Sequence, residues 1–327
     1  MISVLLPCHR EGKLLARALR SVQEQTLHQW QLVLVCNNCD DETAAIAEAS
    51  ARADRRICLV TEPEPGIAPA LNTGLRFCRG DYVARLDADD TMPADRLALQ
   101  SAFLDQHSDV GLVSGQVRFV TDSGVGYDQY VQQINGWRDH ETMYRYRFVE
   151  SPVAHPSVMF RRELIDRLGG YSTENVPEDY ELWLRWLTAG VRFAKVPETV
   201  LDWFDSTSRL SRTHNNYARA AFDSVRLRYL AQVLPQLSAG RPLWVCGGRY
   251  ARRKARRLKQ MGIAISGVVD IIARRLDTLK AMTYNELPAP GELFLVSFVS
   301  NRGAYRIIED VLTSKGYAAE RDFVLAA

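Results

Sequence analysis

The chain is predicted to be α/β, with a mainly parallel sheet flanked by helices and a smaller β/α module after it. Three observations support this. Short apolar strands alternate with helical stretches from Ile2 to Arg85, the pattern that builds a parallel sheet. The strands end in polar clusters. After Arg241 the strand–helix alternation starts afresh.

The first apolar strand, Ile2 to Leu6, is ended by Pro7-Cys8-His9-Arg10-Glu11. From Leu14 to Gln25, apolar Leu15, Ala18, Leu19 and Val22 recur at the spacing of one helix face. A second strand, Gln31 to Val35, ends in Cys36-Asn37-Asn38-Cys39-Asp40-Asp41-Glu42-Thr43 and runs into another helix. The third, Ile57 to Val60, leads to a Pro/Gly loop, Glu62 to Pro69, and a helix from Ala70 to Cys78. The fourth, Asp81 to Arg85, is followed at once by Leu86-Asp87-Ala88-Asp89-Asp90. Parallel sheets bind ligands at the carboxyl ends of their strands. The clusters at Pro7 to Glu11, Cys36 to Asp41 and Asp87 to Asp90 should therefore converge on one edge.

Carboxylates packed as densely as Asp87, Asp89 and Asp90 repel one another and resist burial. One reading places magnesium or manganese there, held by one or two carboxylates and completed by substrate phosphate oxygens. The other is a solvated turn in which Asp90 caps a helix starting near Pro93.

Further segments add to the pattern. They are Asn37 to Thr43 (Asn-Asn-x-x-Asp-x-Thr), Gly66 with Ala70-Leu71-Asn72-x-Gly74-Leu75, and Gly80 to Asp90. Beyond these come His155-Pro156-Ser157-Val158-Met159-Phe160-Arg161-Arg162, Gly169-Gly170-Tyr171, and Glu178-Asp179-Tyr180-Glu181-Leu182-Trp183-Leu184-Arg185. In this order and spacing, with Pro7 and Glu11 ahead of them, roughly the first two hundred residues resemble the inverting nucleotide-sugar glycosyltransferases of family 2. The resemblance implies the GT-A fold, a mixed and mainly parallel sheet, over residues 1–217. It also implies metal-dependent transfer of a sugar from a nucleoside diphosphate sugar to an acceptor hydroxyl, in bacterial surface polysaccharide or glycolipid synthesis.

Departure of the nucleoside diphosphate leaves negative charge that calls for a cation, Mn2+ or Mg2+. The resemblance gives Asp89 the metal and Asp87 the ribose or a metal-bound water, leaving Asp90 to cap or support. Inversion needs a base on the acceptor hydroxyl; the resemblance assigns it to Asp179, with Glu178 orienting it or binding the acceptor. The alternative is an acidic first turn on the helix Asp179 to Leu187, which the helix dipole favours anywhere. Nucleotide-sugar contacts are expected from Pro7, His9, Glu11, Cys36, Asn37, Gly66, Asn72, Arg85, Asp87 and Ala88, with His155 lining the sugar or acceptor pocket. Arg209 and Arg212 are candidates to neutralise the diphosphate, and His214 to provide a third metal contact; solvated loop positions are the alternative for all three.

One departure concerns the nucleotide base. By the resemblance, most relatives end the second strand in two aspartates, the first reading the base, where this chain has Cys36 and Asn37. A thiol substitutes poorly for a carboxylate accepting an N–H, whereas Asn37 offers both donor and acceptor. A UDP-sugar is the first expectation for the donor, with GDP and dTDP open. Cys36-x-x-Cys39 has no second pair to complete a zinc site, and Cys8 ends the neighbouring strand. Reduced, partly buried thiols in a cytosolic enzyme are expected, with a small thiol cluster near the nucleotide as the alternative. Tyr127, Tyr130, Trp137, Tyr144 and Tyr146 suit a carbohydrate-stacking surface or a packed core equally well.

A helix from Ala218 to Leu234, with Pro235 to Gly240, forms a linker over 218–240 to a Rossmann-like module, 241–327. Its strands are Pro242 to Cys246, Ile265 to Val269, Leu293 to Val299 and Asp322 to Leu325, and its helices Tyr250 to Met261 and Tyr305 to Lys315. Asp270 lies where a ribose-binding acid is expected, but Arg249 replaces the glycine that would admit a pyrophosphate. The strands are too few for a complete two-half dinucleotide fold, so structure, docking or homo-oligomerisation is the expected task. The basic run Arg249, Arg252, Arg253, Lys254, Arg256, Arg257 and Lys259 suits an anionic membrane or a solvated face. It lacks the aromatic platform of a nucleic-acid binder.

With 327 residues, 46% of them hydrophobic, the chain can bury two cores. Its net charge of +2 argues against a strongly basic nucleic-acid protein. No run reaches membrane-spanning length, and the apolar start is too short for a signal peptide. The expected location is cytoplasmic, with peripheral contact at the inner membrane face. The rival functions are a sugar-nucleotide pyrophosphorylase, which would need a glycine-rich basic loop after the first strand, and a catalytically silent scaffold.

Overall fold

The computed structural model describes residues 1–121, 128–205, 214–272, 279–299 and 303–326. The described chain forms two compact units, 1–140 with 153–218 and 141–152 with 219–327. Arg209 and Arg212, expected at the diphosphate, lie outside the described residues, as does Tyr127.

The first unit is built on a seven-stranded sheet of order β3-β2-β1-β4-β6-β5-β7. Its strands are β1 (Ile2–Cys8), β2 (Trp30–Asn37), β3 (Ile57–Glu62), β4 (Tyr82–Arg85), β5 (Val110–Val120), β6 (Met159–Arg161) and β7 (Arg192–Phe204). Only β6 runs antiparallel to its neighbours, so the sheet is mixed and mainly parallel. Helices α1 (Lys13–Gln23), α2 (Asp41–Ala53), α3 (Ile67–Leu75), α4 (Arg96–Gln106), α5 (Asp128–Gly136), α7 (Glu163–Leu168) and α8 (Glu178–Thr188) belong to this unit, and α6 (His140–Arg145) leads into the second.

Two boundaries differ from expectation for a local reason. Pro7 does not end β1, which continues in register with β2 to Cys8. The β4 ladder covers only Ile2 to Leu5, so one flank of β1 needs no N–H at Pro7. The helix expected from Ala70 starts at Ile67, with Pro69 inside its first turn, where no intrahelical N–H bond is required. α3 rests on β1 and β2 through Gly74, whose missing Cβ would lie 2.3 Å from Leu5 Cδ1 and 2.7 Å from Val35 Cγ2. A side chain there would have to displace both of these apolar side chains.

The second unit carries a five-stranded parallel sheet of order β10-β9-β8-β11-β12. The strands are β8 (Leu243–Cys246), β9 (Gly267–Asp270), β10 (Lys280–Thr283), β11 (Phe294–Ser297) and β12 (Phe323–Leu325), and the helices α9 (Arg219–Ser238), α10 (Arg249–Gln260) and α11 (Ala304–Ser314). The sheet holds the four strands expected from the sequence and a fifth, β10, at one edge. Cys246, Val269, Leu295, Tyr305, Leu312 and Phe323 form its core with Val149. Segment 141–152 is fastened to this unit by Arg147, whose guanidinium meets both Glu320 oxygens at 2.9 Å.

Candidate active site

The β1 and β2 ends sit side by side. Asn37 is buried, and its side chain is engaged by backbone. Its amide nitrogen donates to the carbonyls of Glu62 (2.9 Å) and Glu64 (2.6 Å), and its oxygen accepts from the Gly66 N–H (3.0 Å). Asn37 thus braces the turn before α3, which Gly66 enters at φ +128°, a conformation suited to glycine. His9 Nδ1 lies 2.6 Å from the Asn37 carbonyl. Asn72 works in the same way: its amide donates to the Tyr171 carbonyl (2.8 Å) and accepts from the Tyr171 N–H (2.9 Å). The thiols expected to be reduced include a bonded pair, since Cys36 and Cys39 form a disulfide. Cys8, Cys58, Cys78 and Cys246 are thiols; burial first, then the charge of Glu11, holds Cys8 up to about 12.

The acidic stretch follows β4. Arg85 is 1% exposed and points back onto this loop, donating to Asp87 Oδ1 at 2.5 Å and to the Leu86 carbonyl. Buried Arg96 supports it by donating to the Arg85 and Val158 carbonyls. Ala88 is buried between Asp87 and Asp89, which are both half-buried. Asp90 does not cap α4, which starts at Arg96. It is fully buried, and its Oδ1 accepts the Phe204 N–H of β7 at 2.9 Å. Arg17 reaches the Asp89 carbonyl and stacks on Phe204.

One oxygen each from Asp87, Asp89 and Asp90 lie within 4.8 Å of one another. Carboxylate oxygens alone, two of the three residues open to solvent, suit a hard divalent cation completed by water or phosphate oxygens. His214 is not in that group; it is exposed, and its Nδ1 accepts the Asn216 N–H at a 3-10 turn. Glu11 accepts the His9 N–H at 2.5 Å. Burial raises its carboxyl, and the charge of Asp89 raises it further, so the β1 and β4 ends share one field.

The third component is the start of α8. Pro177 precedes it, and its first turn carries Glu178, Asp179 and Glu181. Glu178 is buried and accepts the Tyr217 hydroxyl at 2.7 Å. His155 Nδ1 lies 4.0 Å from Glu178, and its Nε2 lies 2.9 Å from the Tyr171 hydroxyl. Burial, then the charge of Arg85, holds His155 well below its usual range, so it is neutral. Asp179 is half-buried. Removal from water raises its carboxyl and the charge of Asp87 adds to the rise, while Arg85 opposes it. Burial followed by repulsion from Asp179 raises Glu178 as well. The α8 acids therefore both feel Arg85 of the β4 segment, and Asp179 also feels Asp87, while Glu11 after β1 feels Asp89.

Sequence reasoning missed Tyr217, Arg17 and Arg96, since single polar residues on distant elements leave no spacing signal. Among the aromatic candidates, Trp137 is buried, Tyr130 packs edge-on to Trp203, and Tyr144 lies under Arg147. Tyr146 donates to Glu309 at 2.5 Å within the second unit.

Residues 3–169 match the family described as Glycosyl transferase family 2. The chain is 26% identical over 229 residues to the O-antigen biosynthesis glycosyltransferase WbnJ of Escherichia coli, covering 69% of this chain and 88% of that protein. It is also 26% identical over 223 residues to the UDP-Gal:alpha-D-GlcNAc-diphosphoundecaprenol beta-1,3-galactosyltransferase of Escherichia coli, covering 66% and 80%. Among solved structures it resembles the mannosyltransferase PcManGT from Pyrobaculum calidifontis in complex with GDP-Man and Mn2+. There the TM-score is 0.51 at 26% identity, over 71% of this chain and 62% of that one.

Proposed function

The chain belongs to glycosyl transferase family 2, and from that premise we propose that it moves a sugar from a nucleoside diphosphate sugar to an acceptor hydroxyl with inversion. The products are bacterial surface polysaccharides or glycolipids. The observation that carries this reading is the clustering of Asp87, Asp89 and Asp90 oxygens within 4.8 Å of one another, with buried Arg85 donating to Asp87 and the charge of Asp87 felt by Asp179. Isolated acidic turns would not sense one another.

Asp89 and Asp87 would hold Mn2+ or Mg2+, which supplies positive charge where the diphosphate departs. Arg85 fixes Asp87 from behind, and Asp90 fastens the same loop to β7, so both carboxylates are positioned before the donor arrives. Asp179 takes the proton from the acceptor hydroxyl. Its half-buried carboxylate has the raised basicity that this task needs. Glu178 is held by Tyr217 and faces neutral His155; it orients Asp179 and the acceptor.

A UDP-sugar is the proposed donor. With the Asn37 amide engaged by Glu62, Glu64 and Gly66, the uracil is read by other groups, and Asn37 shapes the pocket wall. The proposed acceptor is a glycan or a lipid-linked glycan. Among the described residues no helix is long and apolar enough to cross a membrane. Peripheral contact is assigned to α10, where Arg249, Arg253, Arg256 and Lys259 are exposed and Lys254 turns inward to Asp223 at 3.1 Å. Incubation with a panel of nucleotide sugars and Mn2+ tests the reading. Slow release of nucleoside diphosphate and free sugar is expected; dependence on pyrophosphate, or no turnover with any donor, would overturn it.

A further inference from the structure

A second cluster of ligating atoms stands at the same sheet edge. Cys8 ends β1 opposite Cys36 in the β1–β2 register, and Cys39 follows in the turn into α2. The chain reverses there through Asn38, at φ +52°, and is secured by Asp40, which accepts the Thr43 N–H at 2.9 Å as the α2 cap. This brings Cys39 Sγ to 3.6 Å from Cys8 Sγ while it is bonded to Cys36. All three sulfurs lie within 4.8 Å of one another.

We propose that, once the Cys36–Cys39 bond is reduced, Cys8, Cys36 and Cys39 form a three-sulfur site for a soft, thiophilic cation such as Cu(I). Sulfur ligands select soft cations, whereas the carboxylates of Asp87 and Asp89 select hard ones, so the two clusters sort metals by chemistry. Structural zinc sites close with four protein ligands, and three sulfurs in this group match three-coordinate Cu(I) better. Two sulfurs are set by a strand ladder and the third by a capped turn, so little reorganisation is needed. Asn37 lies between Cys36 and Asn38 and braces Glu62 to Gly66. Occupancy should therefore alter donor affinity, a consequence that alone rests on the proposed transferase.

A phosphine reductant opens the disulfide. It becomes the phosphine oxide with oxygen from water, and Cys36 and Cys39 each gain one proton. Cation binding then displaces the thiol protons to solvent.

The test uses the full chain, phosphine-reduced without air and titrated with Cd(II). Sulfur-to-metal charge transfer in the ultraviolet counts the thiolates, and Cu(I) follows by competition with a colorimetric chelator. One ion per chain is expected, with a band of three-thiolate intensity. Outer partners alone change metal affinities by about 10- to 100-fold, so Cys8→Ser should weaken binding by at least that lower figure and lose a third of the band. Cys39→Ala, at a half-buried turn position, repeats the test with the buried Cys8 side chain retained, and Cys58→Ser should leave the band unchanged. Absence of a band after reduction would overturn the site, as would a two-thiolate band unaffected by Cys8→Ser or a band surviving in thiol-blocked protein.

Discussion

Asn37→Ala separates a brace from a base reader. Asn37 is buried and makes three hydrogen bonds, at 2.9, 2.6 and 3.0 Å, all to backbone of the segment that enters α3. A net contribution of about 1 kcal/mol for each gives a loss of about 3 kcal/mol when the amide is removed. Equilibrium unfolding in urea, monitored by tryptophan fluorescence, measures that loss. Asn37→Asp keeps an acceptor for the Gly66 N–H but turns an acceptor oxygen toward the Glu62 and Glu64 carbonyls, so it should cost at least as much as Asn37→Ala. Donor affinity should weaken in step with the loosened turn, by similar factors for different nucleotide bases. Unchanged stability with a large, base-selective loss of donor affinity would refute the brace and make Asn37 a reader of the base.

Asp179→Asn should lower kcat by about 10²- to 10⁴-fold, the usual contribution of a general base, with donor Kd by calorimetry nearly unchanged. Weakened donor binding with preserved turnover would contradict that role. Because burial and the charge of Asp87 raise Asp179, and the base works only unprotonated, kcat/KM should fall on acidification at a higher pH than an ordinary aspartate would dictate; an acid limb in the ordinary range refutes the assignment. In the second unit, burial pushes Asp322 up, but hydrogen bonds from Arg321 and the Ala318 N–H outweigh it and leave the carboxyl below its usual range. A depressed folded-state acid stabilises above its unfolded value and loses that contribution as pH falls. Asp322→Asn should cost about 1–3 kcal/mol at neutral pH and flatten the acid dependence of unfolding, whereas an unchanged acid dependence would place the titrating group elsewhere.

Much of the site was legible because charge density and alternation are local signals. The run Asp87 to Asp90 after an apolar strand and the acidic start of α8 could be placed at sheet and helix ends without coordinates. What could not be read depends on partners far along the chain. Asn37 and Asn72 look like ligand-reading amides until Gly66 and Tyr171 are seen to occupy them. Asp90 resembles a cap until Phe204 takes its oxygen. The strand β7 escaped notice because Pro197 and several charges interrupt its alternation, which the sheet tolerates because β7 is an edge strand. Cys36 and Cys39 read as separate thiols because spacing alone does not say whether a turn closes.

The most direct measurement is anomalous diffraction at the manganese edge from crystals soaked with UDP and Mn2+. A peak between the diphosphate and the carboxylates of Asp87 and Asp89, on the same cleft as Asp179, is the predicted result. A nucleotide-bound manganese that touches neither Asp87 nor Asp89 would contradict it.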